Sequence, residues 1–201
     1  AIGGMDKIRD INAVSMLAES EIQPGMKIQM VGIKAKPNKS VMMLMMMGNT
    51  MLKMVFDGEK GSLSQQGINN AMPENMVEDF IKSTQPFEEV GMLTDDNVKF
   101  SSVEEEDGKT LYVLESIMGG GKAFTYFDSN SGLKIKQTVF VKTPDGSELA
   151  QTTYFNDYRE VNGVLFPYVV SMPLGPQNLE MKIVNLTINP QVSDADFTIE
   201  K

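Results

Sequence analysis

The chain has 201 residues and a formal net charge of −9, from 27 acidic and 18 basic side chains, and it contains neither cysteine nor histidine. Without those two residue types it has no disulfide, no thiolate metal site, no Ser-His-Asp or Cys-His nucleophile arrangement and no His-based zinc site. The acidic balance, with Arg9 and Arg159 the only guanidinium groups, argues against nucleic acid and anionic membrane surfaces, which demand clustered Lys and Arg. No apolar run approaches the ~18 residues of a transmembrane helix.

A chain of this length buries a core without covalent staples, and residues 1–201 read as a single domain. Its opening, Ala1-Ile2-Gly3-Gly4, reads as cut from a longer precursor. The first ten residues fit the tail of a short helix or its connection. A strand is expected over Ala13–Glu21 and, after the turn Gln23-Pro24-Gly25, another over Met26–Lys36. Met26, Ile28 and Met30 alternate with Lys27 and Gln29, the period-two pattern of a half-buried strand. The apolar phase then moves to Val31, Ile33 and Ala35, which makes Gly32 the expected site of a bulge.

Seven of the 17 methionines fall between Met42 and Met54. The runs Val41–Met47 and Thr50–Phe56 flank Gly48-Asn49, a hairpin signal. If those two residues are the turn, Met45 faces Leu52, Met43 faces Met54 and Val41 faces Phe56. Lys53 falls on the reverse side, so the Val41–Phe56 side is expected to point inward. A helix is expected over Pro73–Lys82, with Pro73 at its first position, Glu74 in its first turn, Lys82 in its last, and a stripe of Met76, Val77, Phe80 and Ile81. Seven more strands follow: Val98–Glu104, Thr110–Ile117, Ala123–Asp128, Leu133–Thr143, Glu148–Tyr158, Val164–Met172 and Leu179–Asn189. Asp107-Gly108, Gly119-Gly120-Gly121, Asn162-Gly163 and similar turn residues separate them. The expected fold is α+β but mostly β: about eleven strands in a curling antiparallel sheet with one or two helices.

The methionine cluster suggests an apolar-ligand cavity lined by Val41, Met43, Met45, Leu52, Met54, Phe56, Met76 and Phe80, because methionine is flexible and polarizable and accepts ligands of varied shape. Filling of an irregular core explains the same composition, and a thioether Cu(I) site is a remoter third reading. The acidic clusters Glu88-Glu89, Asp95-Asp96, Glu104–Asp107 and Asp194–Asp196 lie at expected turns, where solvated charge is the default. Asp128-Ser129-Asn130 lacks the twelve-residue frame of a calcium loop. Gly119–Lys122 lacks the Ser or Thr and the following helix of a phosphate loop. No catalytic residue, metal or cofactor is expected.

Several phrases in order carry a resemblance: Ile2-Gly3-Gly4-Met5-Asp6-Lys7-Ile8, Val55-Phe56-Asp57-Gly58, Tyr126-Phe127-Asp128, Ser131-Gly132-Leu133-Lys134, Asp157–Gly163 with Phe166-Pro167, Ile188-Asn189, and Asp194-Ala195-Asp196-Phe197. Together they resemble the LolA-like group of periplasmic lipoprotein carriers, and especially the domain at the C-terminal end of Bacteroidetes insulinase (pitrilysin-type) zinc peptidases. The resemblance implies a strongly curved half-barrel around helices, with an apolar cavity. It implies a non-enzymatic periplasmic or secreted domain that binds lipid or lipoprotein acyl chains. The alternative is an accessory domain that positions substrate for a peptidase domain in cis and has no ligand of its own.

Overall fold

The computed structural model describes residues 1–65, 67–74, 76, 77, 81, 86–118, 120–143, 146–174 and 177–199. Among them are thirteen strands: β1 (Ala13–Gln23), β2 (Met26–Ala35), β3 (Lys39–Met46), β4 (Asn49–Phe56), β5 (Gly61–Gln65), β6 (Ile68–Ala71), β7 (Lys99–Glu106), β8 (Lys109–Met118), β9 (Gly121–Asp128), β10 (Lys134–Lys142), β11 (Glu148–Val161), β12 (Val164–Leu174) and β13 (Gln177–Ile188). Helix α1 spans Met5–Arg9, α2 spans Glu88–Met92, and a 3₁₀ turn covers Asp194–Phe197. The hydrogen-bonded order is β6-β5-β4-β3-β2-β1-β13-β12-β11-β10-β9-β8-β7, with β6 and β7 as its two ends. The expected count of eleven is therefore two short. The added pair is the β5–β6 hairpin, whose Ser, Gln and Asn side chains leave almost no apolar alternation to read.

The chain divides into two compact units: Ala1–Gly4 with Met92–Glu180, and Met5–Gly91 with Met181–Lys201. In the second unit, β1 to β6 form an antiparallel meander, and the end of β13 pairs with β1. Directly opposed residues share a side of the sheet. Ala13 pairs with Ala35, Ile33 with Val41, and Val41 with Val55. On that side Ala13, Ala35, Val41, Val55 and Phe197 form a buried cluster, against which Ile33, Met43, Val192 and Ile199 pack. The reverse side is covered as well, since Val14, Ala18, Ile28 and Phe56 are all buried.

Burial on both sides accounts for the phase change in β2. Ile28 and Met30 belong to one side, Val31, Ile33 and Ala35 to the other, and the strand runs through Gly32 in regular register with Met16 and Met42. Gly32 is therefore not a bulge. Its hydrogen leaves room for the Met16 side chain, whose methyl would lie 3.1 Å from a Cβ there.

The C-terminal segment is fastened over the buried cluster by polar contacts as well as by Phe197. Lys39 Nζ lies 2.6 Å from Asp194 Oδ1 and 6.0 Å above the Phe197 ring. Asp196 Oδ2 accepts hydrogen bonds from the Ser193 backbone N–H and hydroxyl at 2.7 and 3.1 Å. At the start of β1, Asn189 Oδ1 accepts from the N–H groups of Asn12 and Ala13, and its amide donates to the Asp10 carbonyl. One side chain thus ties α1 and β1 to the end of β13.

In the first unit, β7 to β12 form a second antiparallel meander. Asp107-Gly108 and Asn162-Gly163 make two-residue hairpin loops, with φ of 50° and 75° and of 51° and 79°. These are the paired positive values that tight hairpins require. Leu111, Val113, Ala123 and Val164 are buried, and the buried Thr125 hydroxyl receives a hydrogen bond from Gln137. Asp128 Oδ1 closes the next turn by accepting from the N–H groups of Asn130 and Ser131 and from the Ser131 hydroxyl. The Ser131 N–H leads in holding this carboxyl below its usual range, followed by the Ser131 hydroxyl and the Asn130 N–H. Gly121 opens β9 after the turn at Gly120, consistent with a hairpin there and not with a phosphate loop; Gly119 lies outside the described residues.

Candidate functional site: the methionine hairpin and an edge cavity

The β3–β4 hairpin forms, but not in the expected register. Its loop is Met47-Gly48, with φ of 50° and 80°, so the two positive-φ positions fall one residue earlier than Gly48-Asn49. Met46 pairs with Asn49 and Met45 with Thr50. A bulge follows on β4, and Leu44 then pairs with Leu52, Met43 with Lys53, Met42 with Met54, Val41 with Val55, and Ser40 with Phe56. Because the side-chain period is two, a one-residue offset exchanges sides. Val41, Met43 and Met45 therefore lie on the side covered by Phe197, whereas Leu52, Met54 and Phe56 lie on the reverse.

Lys53 is also displaced from its expected place. It shares the side of Val41 and Met43, where it is half-buried opposite Met43 and Ser64. The inward side inferred from its charge thus fails as a shared face of six residues. Phe56 is fully buried and Val41 nearly so, while Met43, Met45, Leu52 and Met54 are half-buried.

The expected helix over Pro73–Lys82 is seen in part. Glu74, Met76, Val77 and Ile81 have helical backbone, and the Val77 N–H donates to the Pro73 carbonyl at 3.0 Å, closing one α-turn. Met76 is half-buried. Phe80 lies outside the described residues.

A cavity of about 700 Å³ opens where β5, β6, the start of this helical segment and the C-terminal segment meet. Met72, Val77, Ala71 and Ile199 supply its apolar wall. Ile199 also packs on the Val41–Val55 cluster, so that wall continues into the core beneath the Met43 side. Gly61 is required at the base: a Cβ there would sit 2.6 Å from the Met72 sulfur. Around the opening stand Glu59, Lys60, Asn69, Asn70 and Glu74. Asp57 Oδ1 holds that corner by accepting from the N–H groups of Glu59 and Lys60 at 2.9 and 2.8 Å.

The seven described members of the expected set, Val41, Met43, Met45, Leu52, Met54, Phe56 and Met76, do not line this space, which among the described residues is built from β5–β6, the start of the helical segment and the C-terminal segment. The polar hairpin hid it. Gly67, with φ of 81°, carried the available turn signal. Its size falls within the range of small-molecule pockets, roughly 300–1,000 Å³.

The acidic clusters differ from one another. Glu88 and Glu89 start α2, Glu104 to Glu106 end β7, and Asp194 and Asp196 belong to the 3₁₀ turn. Glu106 is an exception to plain solvation: it pairs with the amine of Lys136, which also lies 4.3 Å above the Tyr126 ring. Among the described residues no group of three or more acidic side chains is placed to hold a metal ion, and no helix is long and apolar enough to cross a membrane.

With this geometry in place, the chain is similar in fold to solved structures of the LolA type. A LolA superfamily protein from Nitrosomonas europaea superposes with a TM-score of 0.60 at 12% identity, covering 94% of this chain and 89% of that one. A DUF1329 family protein from Desulfovibrio piger gives a TM-score of 0.62 at 11% identity, with coverage of 96% and 92%. A domain from Vibrio parahaemolyticus described as an outer membrane lipoprotein-sorting protein gives 0.58 at 12% identity, with coverage of 93% and 88%. No protein-family model and no curated protein matches the chain. The architecture is therefore LolA-like, and at these identities the likeness is one of fold.

Proposed function

We propose that this chain is a non-catalytic carrier or binding module that holds a lipid or lipoprotein acyl chain in the cell envelope, in the periplasm or outside the cell. The observation that carries the proposal is the cavity of about 700 Å³, whose apolar wall runs through Ile199 into the Val41–Val55 cluster. Val41, Met43 and Met45 lie on that same side, and the two methionines offer a deformable surface to a flexible chain. Met76 directly precedes Val77, which lines the cavity. Leu52, Met54 and Phe56 are assigned to packing on the reverse side. The LolA-like fold supports the reading by analogy. The accessory role beside a zinc peptidase domain in cis rests on sequence resemblance alone, and none of the likenesses described above is to a peptidase.

The test is to direct the whole chain to the bacterial periplasm, purify it without detergent, and combine native mass spectrometry with lipid extraction. About one acyl-bearing molecule per chain is expected. Protein that carries no lipid, and takes up none when palmitoyl lipids are offered, would overturn the proposal.

A further inference from the structure

The charges at the mouth of the edge cavity say more about the ligand than its volume does. Among the described residues, two carboxylates, Glu59 and Glu74, and one ammonium, Lys60, line it together with the amides of Asn69 and Asn70. Among the described residues, the side chains of Glu59, Lys60 and Glu74 form no hydrogen bond or ion pair, so their charges face whatever enters. The described mouth residues carry a net negative charge on a chain of net charge −9, which repels an anionic head both at long range and on contact. The two amides donate and accept hydrogen bonds and suit an uncharged polar group.

We infer that the cavity selects amphiphiles by their heads, taking uncharged hydroxyl- or amide-bearing or cationic ones and disfavouring carboxylate or phosphate heads. This rests on the acyl-binding reading and specifies its ligand class. The tail lies along Met72, Val77 and Ile199, and the head stays among Glu59, Glu74, Asn69 and Asn70. A unit charge several ångströms from a carboxylate in largely aqueous surroundings gains or loses a few-fold in affinity. With two carboxylates against one ammonium, the cationic and anionic extremes should differ by about tenfold.

The experiment uses the whole chain with Nile red as an uncharged fluorescent probe. It is displaced at pH 7.4 by hexadecylamine, monopalmitoylglycerol or palmitate, each below its aggregation threshold. The expected order is amine and glyceride ahead of palmitate, with about tenfold between amine and palmitate and a narrower gap in high salt. The E59Q/E74Q double variant, altered only at exposed side chains, should lose this preference or reverse it, because Lys60 then stands alone. Equal affinity for all three, or a preference that survives in the double variant, would overturn the head-group inference while leaving acyl binding intact. Failure of every amphiphile to displace the probe would remove both readings.

Discussion

Replacing Phe197 by Ala tests whether the C-terminal segment is part of the core. Phe197 is 3% exposed and lies in the cluster with Ala13, Ala35, Val41 and Val55. Truncating a buried Phe to Ala costs about 3–5 kcal/mol, from lost transfer energy plus the void left behind. In a chain of this size each kcal/mol lowers the melting temperature by about 2–4 °C, so the variant should melt about 6–20 °C below the parent. Urea unfolding followed by far-ultraviolet circular dichroism gives the free energy, with an unchanged m-value showing that the denatured state is unaltered. A loss under about 1 kcal/mol, the scale of an ordinary surface substitution, would refute the reasoning. It would mean that β1–β4 keep their side buried without the segment Val192–Ile199.

Gly121→Ala should be among the most damaging single-methyl changes, because its Cβ would lie 1.9 Å from the Phe140 carbonyl oxygen; soluble protein with near-parental melting would contradict the β9–β10 packing. Met47→Asn should stabilise the chain by about 1 kcal/mol, since Met47 has φ of 50° beside Gly48 and Asn tolerates the left-handed region at lower cost; lower stability by urea titration would count against the Met47-Gly48 loop. Asp128 predicts a pH dependence. Its folded pKa is depressed, chiefly by the Ser131 N–H, so its contribution is present above the unfolded value near 3.9 and is lost as pH falls through the folded one. Asp128→Asn should therefore be less stable than the parent at pH 7, with the gap closing toward pH 2, and a gap independent of pH would oppose the assignment.

The sequence and the structure agree most closely where turns have only one workable chemistry. Asp107-Gly108 and Asn162-Gly163 sit at hairpin tips because paired positive φ values admit few residue types. The same logic misplaced the methionine hairpin. By that logic Gly48 is the first loop residue, but in the structure it is the second, and Met47 bears the cost of a positive φ. A later bulge on β4 moved the register again. Neither shift could be seen in a run apolar on both sides, since burial of both faces removes the alternation that sets register. Lys53 was a misleading guide, because its long stem allows half-burial on the Val41 side. The cavity itself was least legible. Its walls come from Gly61–Ala71, a polar hairpin whose strands pair without an apolar stripe, and from Ile199, some 130 residues away in sequence.

The central claim is that the space between β5–β6, Val77 and Ile199 receives an acyl chain. The most direct measurement is calorimetric titration of monopalmitoylglycerol into the parent chain and into Ala71→Trp, an exposed wall position on the end strand β6 where a large ring can fill the opening. Saturable one-to-one binding by the parent, lost in a variant that keeps its melting temperature, is the predicted result. Equal binding by both proteins, or none by the parent, would contradict the account.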